Sequence, residues 1–327
     1  MIDKQKEEVF YAKDFNFSYS SINKLNFCPS LFYKDYILGD REIRTEKHLI
    51  EGKLIHCLLF EPDNVEKKFN VSPGKSPSDN IIGVMKDMSL YTDSESLDDI
   101  DDSVILDSLK SQNLYQSLKT DESRIAKIRT VDNGPYWTFI NSTIIDVIDN
   151  STLENCKRQV EILKENEDVK ALFLEKESDF ELDQIEVYAE KYLSCKLKTP
   201  DFGLHGYIDY YKIDHEKKLI TICDLKTTGK TISDFPETID FYNYWMQAAI
   251  YYKLVHDNLD EKCQSYEILF KFVVIDKYNQ VYVFDVLEST MSSWAQGLFI
   301  KLQEVNYHYS KRNYSLPYKF LNQKIRL

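Results

Sequence analysis

The chain has 327 residues and carries 41 basic against 54 acidic side chains, a formal net charge of −13. Hydrophobic residues make up 43% and aromatic residues 13% of it, so it can bury a substantial core, which excludes a chain that is disordered throughout. Its 9 glycines and 8 prolines are too few for a fibrous or low-complexity protein. The acidic balance by itself argues against a nucleic-acid partner, because phosphate binding needs positive potential.

No stretch approaches 18 consecutive apolar residues, so the sequence predicts no transmembrane helix. The charged start of the chain lacks the apolar segment of a secretory signal. The six cysteines are widely and irregularly spaced and form no C-x-x-C pair. This spacing argues against a zinc ribbon, a clustered iron–sulfur site and a disulfide framework. We therefore expect reduced thiols and a cytoplasmic protein.

The N-terminal part is predicted to contain two helices. The first covers 17–38, is capped by Ser20 or Ser21, and is broken by Pro29. The second covers 46–60 and ends before a proline.

The segment 63–180 is predicted to be a variable, partly acidic, helical insert. Residues 91–122 hold nine acidic and two basic side chains, and the stretch SESLDDIDDS within them is typical of a solvated loop. Apolar residues at helical spacing predict a helix over 153–177.

From residue 185 onward, alternating β-branched and aromatic residues predict strands at IEVYAEKYLSCKLKT, GYIDYYKI and LITICDLKTT. A helix over 241–258, two strands at 266–275 and 280–286, and a helix over 289–309 follow. This order predicts an α/β (α+β) fold with a central mixed, mostly antiparallel sheet flanked by helices.

These elements suggest a single domain over 1–327. Its consecutive parts are N-terminal helices with a histidine (17–60), the insert (63–180), the sheet core (185–290), and a C-terminal helix with a basic tail (291–327).

Two aspartates and a lysine form the most informative set of polar residues. If GYIDYYKI and LITICDLKTT form a hairpin centred between residues 216 and 217, Asp209 faces Asp224 with Cβ atoms about 4.5–5.5 Å apart. Lys226 then projects from the same face as Asp224. Facing carboxylates repel unless a cation compensates them, and hard oxygen ligands suit Mg²⁺ or Mn²⁺. Such a site can activate water and neutralise charge on a phosphate.

Each signal alone is weak. A D-x-K triplet is most often a surface ion pair, although the apolar strand before this one favours a functional site. By itself His56 is more often a satisfied core histidine than a ligand. Gln247 and Tyr251 share a helix face, as many pairs four residues apart do, and Glu186 is a lone acid on a strand.

Taken together, the pattern resembles the PD-(D/E)xK nuclease superfamily, with its restriction-endonuclease-like core, and within it the RecB-like branch. It looks closest to phage exonucleases of the RecE (exonuclease VIII) kind and to lambda-exonuclease-like enzymes. Two departures are Ile208 in place of the superfamily's proline and an aspartate as the acid of the triplet. The matching motifs, in chain order, are Gly52…His56, Gly206-Tyr207-Ile208-Asp209, Asp224-Leu225-Lys226 and Gln247-Ala248-Ala249-Ile250-Tyr251.

The resemblance implies a Mg²⁺- or Mn²⁺-dependent DNA exonuclease that resects duplex ends 5′→3′ in phage-type recombination or repair. No iron–sulfur cluster is expected, since no cysteine follows Cys263. The implied catalytic residues are Asp209, Asp224 and Lys226. The implied metal ligands are His56, Asp209, Asp224 and the Leu225 carbonyl, with Glu186, Gln247 and Tyr251 in supporting roles.

The implied partners are double-stranded DNA ends, a single-strand annealing protein and further copies of the chain in a ring, with no membrane. Two alternatives remain open. One is an accessory single-strand or flap nuclease of a helicase or a CRISPR-adaptation-like system. The other is a catalytically silent DNA-binding module.

The uneven distribution of charge makes a DNA partner compatible with the acidic total. Residues 301–327 carry six basic side chains against Glu304 alone. We expect this segment near the DNA path and the acidic segment 91–122 facing away. The candidate DNA-binding residues are Lys311, Arg312, Lys319, Lys324 and Arg326.

Overall fold

The computed structural model of the chain describes residues 2–42, 45–173, 184–198, 200, 202–323 and 325. Within that part of the chain, no helix is long and apolar enough to cross a bilayer.

The described residues form eight strands, three of them only two or three residues long. They are β1 (Asn16–Phe17), β2 (Asn70–Ser72), β3 (Val147–Asp149), β4 (Ile185–Lys196), β5 (Gly203–Asp214), β6 (Leu219–Thr228), β7 (Glu267–Asp276) and β8 (Val281–Val286).

The α-helices range from one turn to 24 residues. They are α1 (Ile2–Tyr11), α2 (Tyr19–Phe27), α3 (Pro29–Phe32), α4 (Lys47–Phe60), α5 (Val65–Lys68), α6 (Asp79–Met88), α7 (Asp102–Ser111), α8 (Asp121–Ile128), α9 (Asn133–Asn141), α10 (Asn150–Glu165), α11 (Glu167–Leu172), α12 (Phe235–Phe241), α13 (Tyr244–Asp257), α14 (Glu288–Lys311) and α15 (Tyr318–Asn322).

The chain divides into two compact units, a sheet unit (1–44 and 159–327) and a helical unit (45–158). The sheet unit contains a six-stranded sheet of order β1–β5–β6–β7–β8, and β4 also pairs with β5. The pairs β4–β5, β5–β6 and β7–β8 are antiparallel, whereas β1–β5 and β6–β7 are parallel. The predicted mixed, mostly antiparallel sheet is therefore confirmed.

Helices flank this sheet, as predicted, and they pack on both of its faces. On one face, apolar side chains of α2, α13 and α14 form a common core with the strands, in which Phe272 is fully buried. A side chain of that size contributes about 1.5–3 kcal/mol when buried. On the other face, the ring of Phe173, just after α11, lies edge-on to Tyr210 with centroids 4.8 Å apart. Lys212 Nζ also donates to the Ala171 carbonyl at 3.0 Å.

The helical unit has an apolar core of its own and a two-stranded parallel sheet of β2 and β3. Trp137 is fully buried in this core, and its indole N–H donates to the Ser94 carbonyl at 2.9 Å. The unit overlaps the predicted insert 63–180 without coinciding with it.

Two local expectations are wrong. Leu97 and Ile100, in the acidic stretch expected to be a solvated loop, are buried in the core of the helical unit. The helix cap expected at Ser20 or Ser21 is formed by Ser18, whose hydroxyl accepts the N–H of Ser21, while the Ser21 hydroxyl accepts the N–H of Ser18. This reciprocal capping box satisfies backbone N–H groups that the first turn leaves open.

Candidate active site

Strands β5 and β6 form the predicted hairpin and separate where its two aspartates lie. The ladder ends at the pair Tyr210–Cys223, in the register expected for a turn centred between residues 216 and 217. The next residues are Asp209 and Asp224. Here the Leu225 N–H donates to Asp209 Oδ2 at 2.8 Å. The Asp209 carboxylate thus satisfies a backbone donor at the point where the strands part.

The turn itself holds this register. Asp214 Oδ1 accepts the N–H of Lys217 at 2.8 Å, and Lys218 adopts a left-handed conformation with φ of 51°. A short acidic side chain that bonds the backbone three residues ahead stabilises a tight turn. The turn therefore fixes which residues of β5 and β6 face each other.

Both aspartates are withdrawn from solvent, and the lysine lies against them. Asp224 is 0% and Asp209 is 7% exposed, and Lys226 Nζ lies 2.5 Å from Asp224 Oδ2. Burial alone would lower the pKa of Lys226, but Asp224 and then Asp209 outweigh it and raise that pKa above its ordinary value. The Nζ also lies 4.8 Å from the ring centroid of Tyr244. Lys226 is therefore a charged ammonium at neutral pH.

Glu190 is an acidic residue of this site that sequence reasoning missed. The register of β4 and β5 places it opposite Asp209, and carboxylate oxygens of the two residues lie within 4.8 Å of each other. Its φ is +46°, a left-handed conformation that costs an L-residue about 1–2 kcal/mol. Such strain in the middle of a strand marks candidate functional positions.

Strand β5 changes face at the same point. On β5, Leu204 and Ile208 contribute to the core before Asp209, whereas Tyr211 and Ile213 contribute after it. A regular strand keeps residues of one parity on one face. Because the face changes here, Ile208 and the next residue, Asp209, are both buried.

Helix α13 covers the site with two polar side chains one turn apart. Gln247 Nε2 donates to the Tyr251 hydroxyl at 2.9 Å, and Gln247 Oε1 is buried with no hydrogen-bond donor among the described residues. Burial raises the pKa of Tyr251 well above its ordinary value, and Asp209 and Asp224 raise it further. The phenol therefore keeps its proton, and Gln247 offers an open acceptor.

Gly206 lets α13 approach the sheet. A Cβ atom at this position would lie 3.0 Å from Tyr251 Cε1 and 3.3 Å from Leu254 Cδ1. The glycine of the G-x-x-D motif thus has a packing reason, separate from the chemistry of Asp209.

Glu186 lies elsewhere, four residues before Glu190 on β4. Its Oε1 is 2.7 Å from His215 Nε2, and the Tyr188 hydroxyl donates to Oε2 at 2.6 Å. The hydrogen bonds from Tyr188 and His215 lower the pKa of Glu186. The structure thus brings Glu190, rather than Glu186, next to Asp209.

The remaining predicted residues belong to the helical unit, to the C-terminal segment, or to positions outside the described residues. His56 lies on α4 of the helical unit, half-buried, with its ring centroid 6.1 Å from that of Phe60.

In the C-terminal segment, Lys311 and Lys319 are exposed. Arg312 has its guanidinium carbon 4.2 Å from the centroid of an aromatic ring of α1. The other two predicted DNA-binding residues, Lys324 and Arg326, lie outside the described residues.

No family model matches the chain, and no curated protein is significantly similar to it. A solved structure of a candidate exonuclease from Eubacterium rectale superposes with a TM-score of 0.47 at 9% identity, over 97% of this chain and 92% of that one. A likeness at this level establishes neither family nor activity, so function has to be inferred from the residues themselves.

Proposed function

We propose that the chain is a divalent-metal-dependent DNA nuclease of the exonuclease type. The observation that carries this proposal is the gathering of Asp209, Asp224 and Glu190 around the point where β5 and β6 separate, with the charged Lys226 held on Asp224. Acidic side chains and a charged lysine collected at one strained point of a sheet are typical of active sites.

The donor set fits Mg²⁺ or Mn²⁺. Asp209 and Glu190 offer carboxylate oxygens within 4.8 Å of each other, and Asp224 follows on the neighbouring strand. Hard oxygen donors of this kind are the ligands that these cations prefer. When bound, the cation would lower the pKa of a water molecule and neutralise charge on a phosphate.

The residues of the chain have separate parts in this proposal. The Leu225 N–H holds Asp209 in orientation, and Asp224 holds the ammonium of Lys226 where charge on the phosphate increases during hydrolysis. The open acceptor Oε1 of Gln247 can accept a hydrogen bond from the attacking water and orient it, and Tyr251 fixes the amide that carries this oxygen.

The remaining parts of the proposal rest on the sequence motifs. His56 and the Leu225 carbonyl join the acidic residues as metal ligands, and the chain belongs to the RecB-like branch of the PD-(D/E)xK superfamily. It resects duplex ends 5′→3′, works with an annealing protein in phage-type recombination, and assembles as a ring on DNA. Its place is the cytoplasm of a bacterial cell or of a phage-infected host.

The direct test is digestion of end-labelled duplex DNA in Mg²⁺ by wild type and by Asp224→Asn. We expect the variant to lose at least about 10²–10³-fold in rate, because the change removes a metal ligand and the partner of Lys226. A matched control is Asp107→Asn, which changes an exposed aspartate on α7. Equal rates for wild type and Asp224→Asn would refute the site.

The same assay separates the alternatives. Faster hydrolysis of single strands or flaps than of duplex ends would favour an accessory nuclease. DNA binding without hydrolysis in either cation would favour a silent binding module. Labels at the 5′ and at the 3′ end report polarity, and sedimentation with and without DNA reports the ring.

A further inference from the structure

An aromatic rim leads from the candidate active site to the surface. It consists of Tyr244, Tyr242 and Phe241. The ring centroid of Tyr244 is 4.8 Å from Lys226 Nζ and 5.5 Å from that of Tyr242, which is 4.8 Å from that of Phe241. Phe241 is 73% exposed. A ring in that position adds little to the apolar core and is free to contact a ligand.

The backbone under the rim is held in place. The Tyr242 carbonyl accepts hydrogen bonds from the Tyr19 hydroxyl at 2.5 Å and from Asn23 Nδ2 at 3.4 Å. Asn243, at φ of 59°, donates from its Nδ2 to Asn23 Oδ1 at 2.8 Å. Helix α2 thus anchors the link between α12 and α13. An exposed ring on an ordered backbone has less conformational entropy to lose when a ligand stacks on it.

The rim combines aromatic faces with positive charge. Lys230 Nζ lies 5.7 Å from the Phe241 ring centroid, on the exposed side, and Lys226 lies at the inner end. Aromatic faces next to lysines fit a single nucleic-acid strand, because every base has a π-face and every nucleotide carries a negative phosphate.

We propose that Phe241 stacks on an unpaired base of the DNA strand that is being cut, next to the scissile phosphate, while Tyr242 supports the Phe241 ring edge-on at an interplanar angle of 88° and Lys230 contacts the backbone. This inference rests on the proposed nuclease function. It implies that the site prefers a DNA strand whose end is unpaired when it reaches Lys226.

The test measures binding rather than cleavage. The full chain is titrated in Ca²⁺ into a short single-stranded DNA that carries a fluorescent adenine analogue, and into the same strand with an abasic site at that position. We expect Phe241→Ala to weaken binding of the first strand about tenfold and to remove the quenching that stacking causes. Phe241→Trp should restore both, and neither change should alter binding of the abasic strand.

Phe299→Ala is the matched control, since Phe299 is a phenylalanine of α14 that is 62% exposed and lies outside the rim. Unchanged affinity and quenching in Phe241→Ala would overturn the stacking proposal, even with full nuclease activity. If Phe241→Ala loses self-association but keeps its affinity for DNA, the proposal is also overturned, in favour of a contact between copies of the chain. If stacking depends on Phe241 but the protein does not hydrolyse DNA in Mg²⁺, the result would support the role of the aromatic rim and refute the nuclease proposal.

Discussion

At the scale of single residues, Glu190 combines a position next to Asp209 with a backbone conformation that L-residues avoid. We expect Glu190→Gly to leave the free energy of unfolding unchanged or to raise it by up to about 1 kcal/mol, because glycine adopts this φ without strain. The same change should weaken Mg²⁺ binding about tenfold, since it removes a carboxylate. Chemical denaturation and calorimetric titration measure the two effects.

Lys218→Gly is the matched control for this change. Lys218 also has a positive φ, of 51°, but lies in the turn between β5 and β6. It should gain similar stability with unaltered Mg²⁺ affinity. Wild-type Mg²⁺ affinity in Glu190→Gly would contradict the role of this carboxylate.

Gly206 gives a second prediction at this scale. In Gly206→Ala the new methyl group would lie 3.0 Å from Tyr251 Cε1, so α13 or the tyrosine must shift. We expect a loss of about 1–3 kcal/mol in the free energy of unfolding, together with lower activity. Gly229→Ala, where no atom lies within 4 Å of the new Cβ, should cost much less. Equal effects in thermal unfolding would count against close packing as the reason for the glycine.

Part of the site could be predicted from the sequence because it depends on one hairpin. The polar turn and two alternating strands were enough to predict the register of β5 and β6, which is as expected up to the pair Tyr210–Cys223, next to Asp209 and Asp224. Glu190 lies on a different strand, β4. Its position opposite Asp209 depends on the register of β4 and β5, which are joined by a longer connection. Extending the pairing across that connection would have pointed to Glu190, but its left-handed φ has no signal in local sequence.

At the scale of elements, the strands and long helices were predictable, whereas their ends and interruptions were not. The predicted helix over 153–177 is divided at Asn166, whose side chain accepts the N–H of Val169 at 3.1 Å and begins α11. Residues 174–177 of that prediction lie outside the described part. Local hydrogen bonds of this kind compete with an otherwise continuous apolar pattern.

Helix α14 carries a histidine that should make stability depend on pH. His308 is buried, and its Nδ1 lies 2.6 Å from the Asn313 carbonyl. Burial lowers the pKa of His308 below its ordinary 6.5, and the Asn313 contact offsets this only in part. The unfolded chain therefore takes up the proton first as pH falls, so this stability is present above about pH 6.5 and is lost below it.

We accordingly expect the free energy of unfolding to decline from about pH 7 to about pH 5, and His308→Gln to flatten that decline. Urea denaturation at several pH values measures it. His48→Gln, at an exposed position of α4, is the control. A decline as steep in His308→Gln as in wild type would show that other groups cause it.

At the scale of the whole molecule, net charge describes the protein poorly because the charge is segregated along the chain. Nine acidic residues against two basic ones lie in 91–122, and six basic against one acidic lie in 301–327. A protein can therefore be acidic in total and still present a basic segment to DNA.

This segregation predicts how DNA binding depends on salt. In the double variant Lys311→Gln/Lys319→Gln we expect weaker binding to duplex DNA and a log–log salt slope reduced by about 2, one for each lost phosphate contact. Anisotropy titrations over a range of salt concentrations measure the slope. The control, Lys86→Gln/Lys110→Gln, removes the same charge from exposed positions of the helical unit. An identical slope in both double variants would refute a specific role for the C-terminal segment.

The hydrogen bond between Asp209 and the Leu225 N–H gives the protein a built-in spectroscopic reporter. Most amide protons of a sheet bond to a carbonyl, but this one bonds to a carboxylate at 2.8 Å that is itself a proposed cation ligand. Sharing that carboxylate with a cation would draw electron density from the bond. The Leu225 amide resonance should therefore shift when a divalent cation binds, and its titration would follow occupancy without any substrate being present.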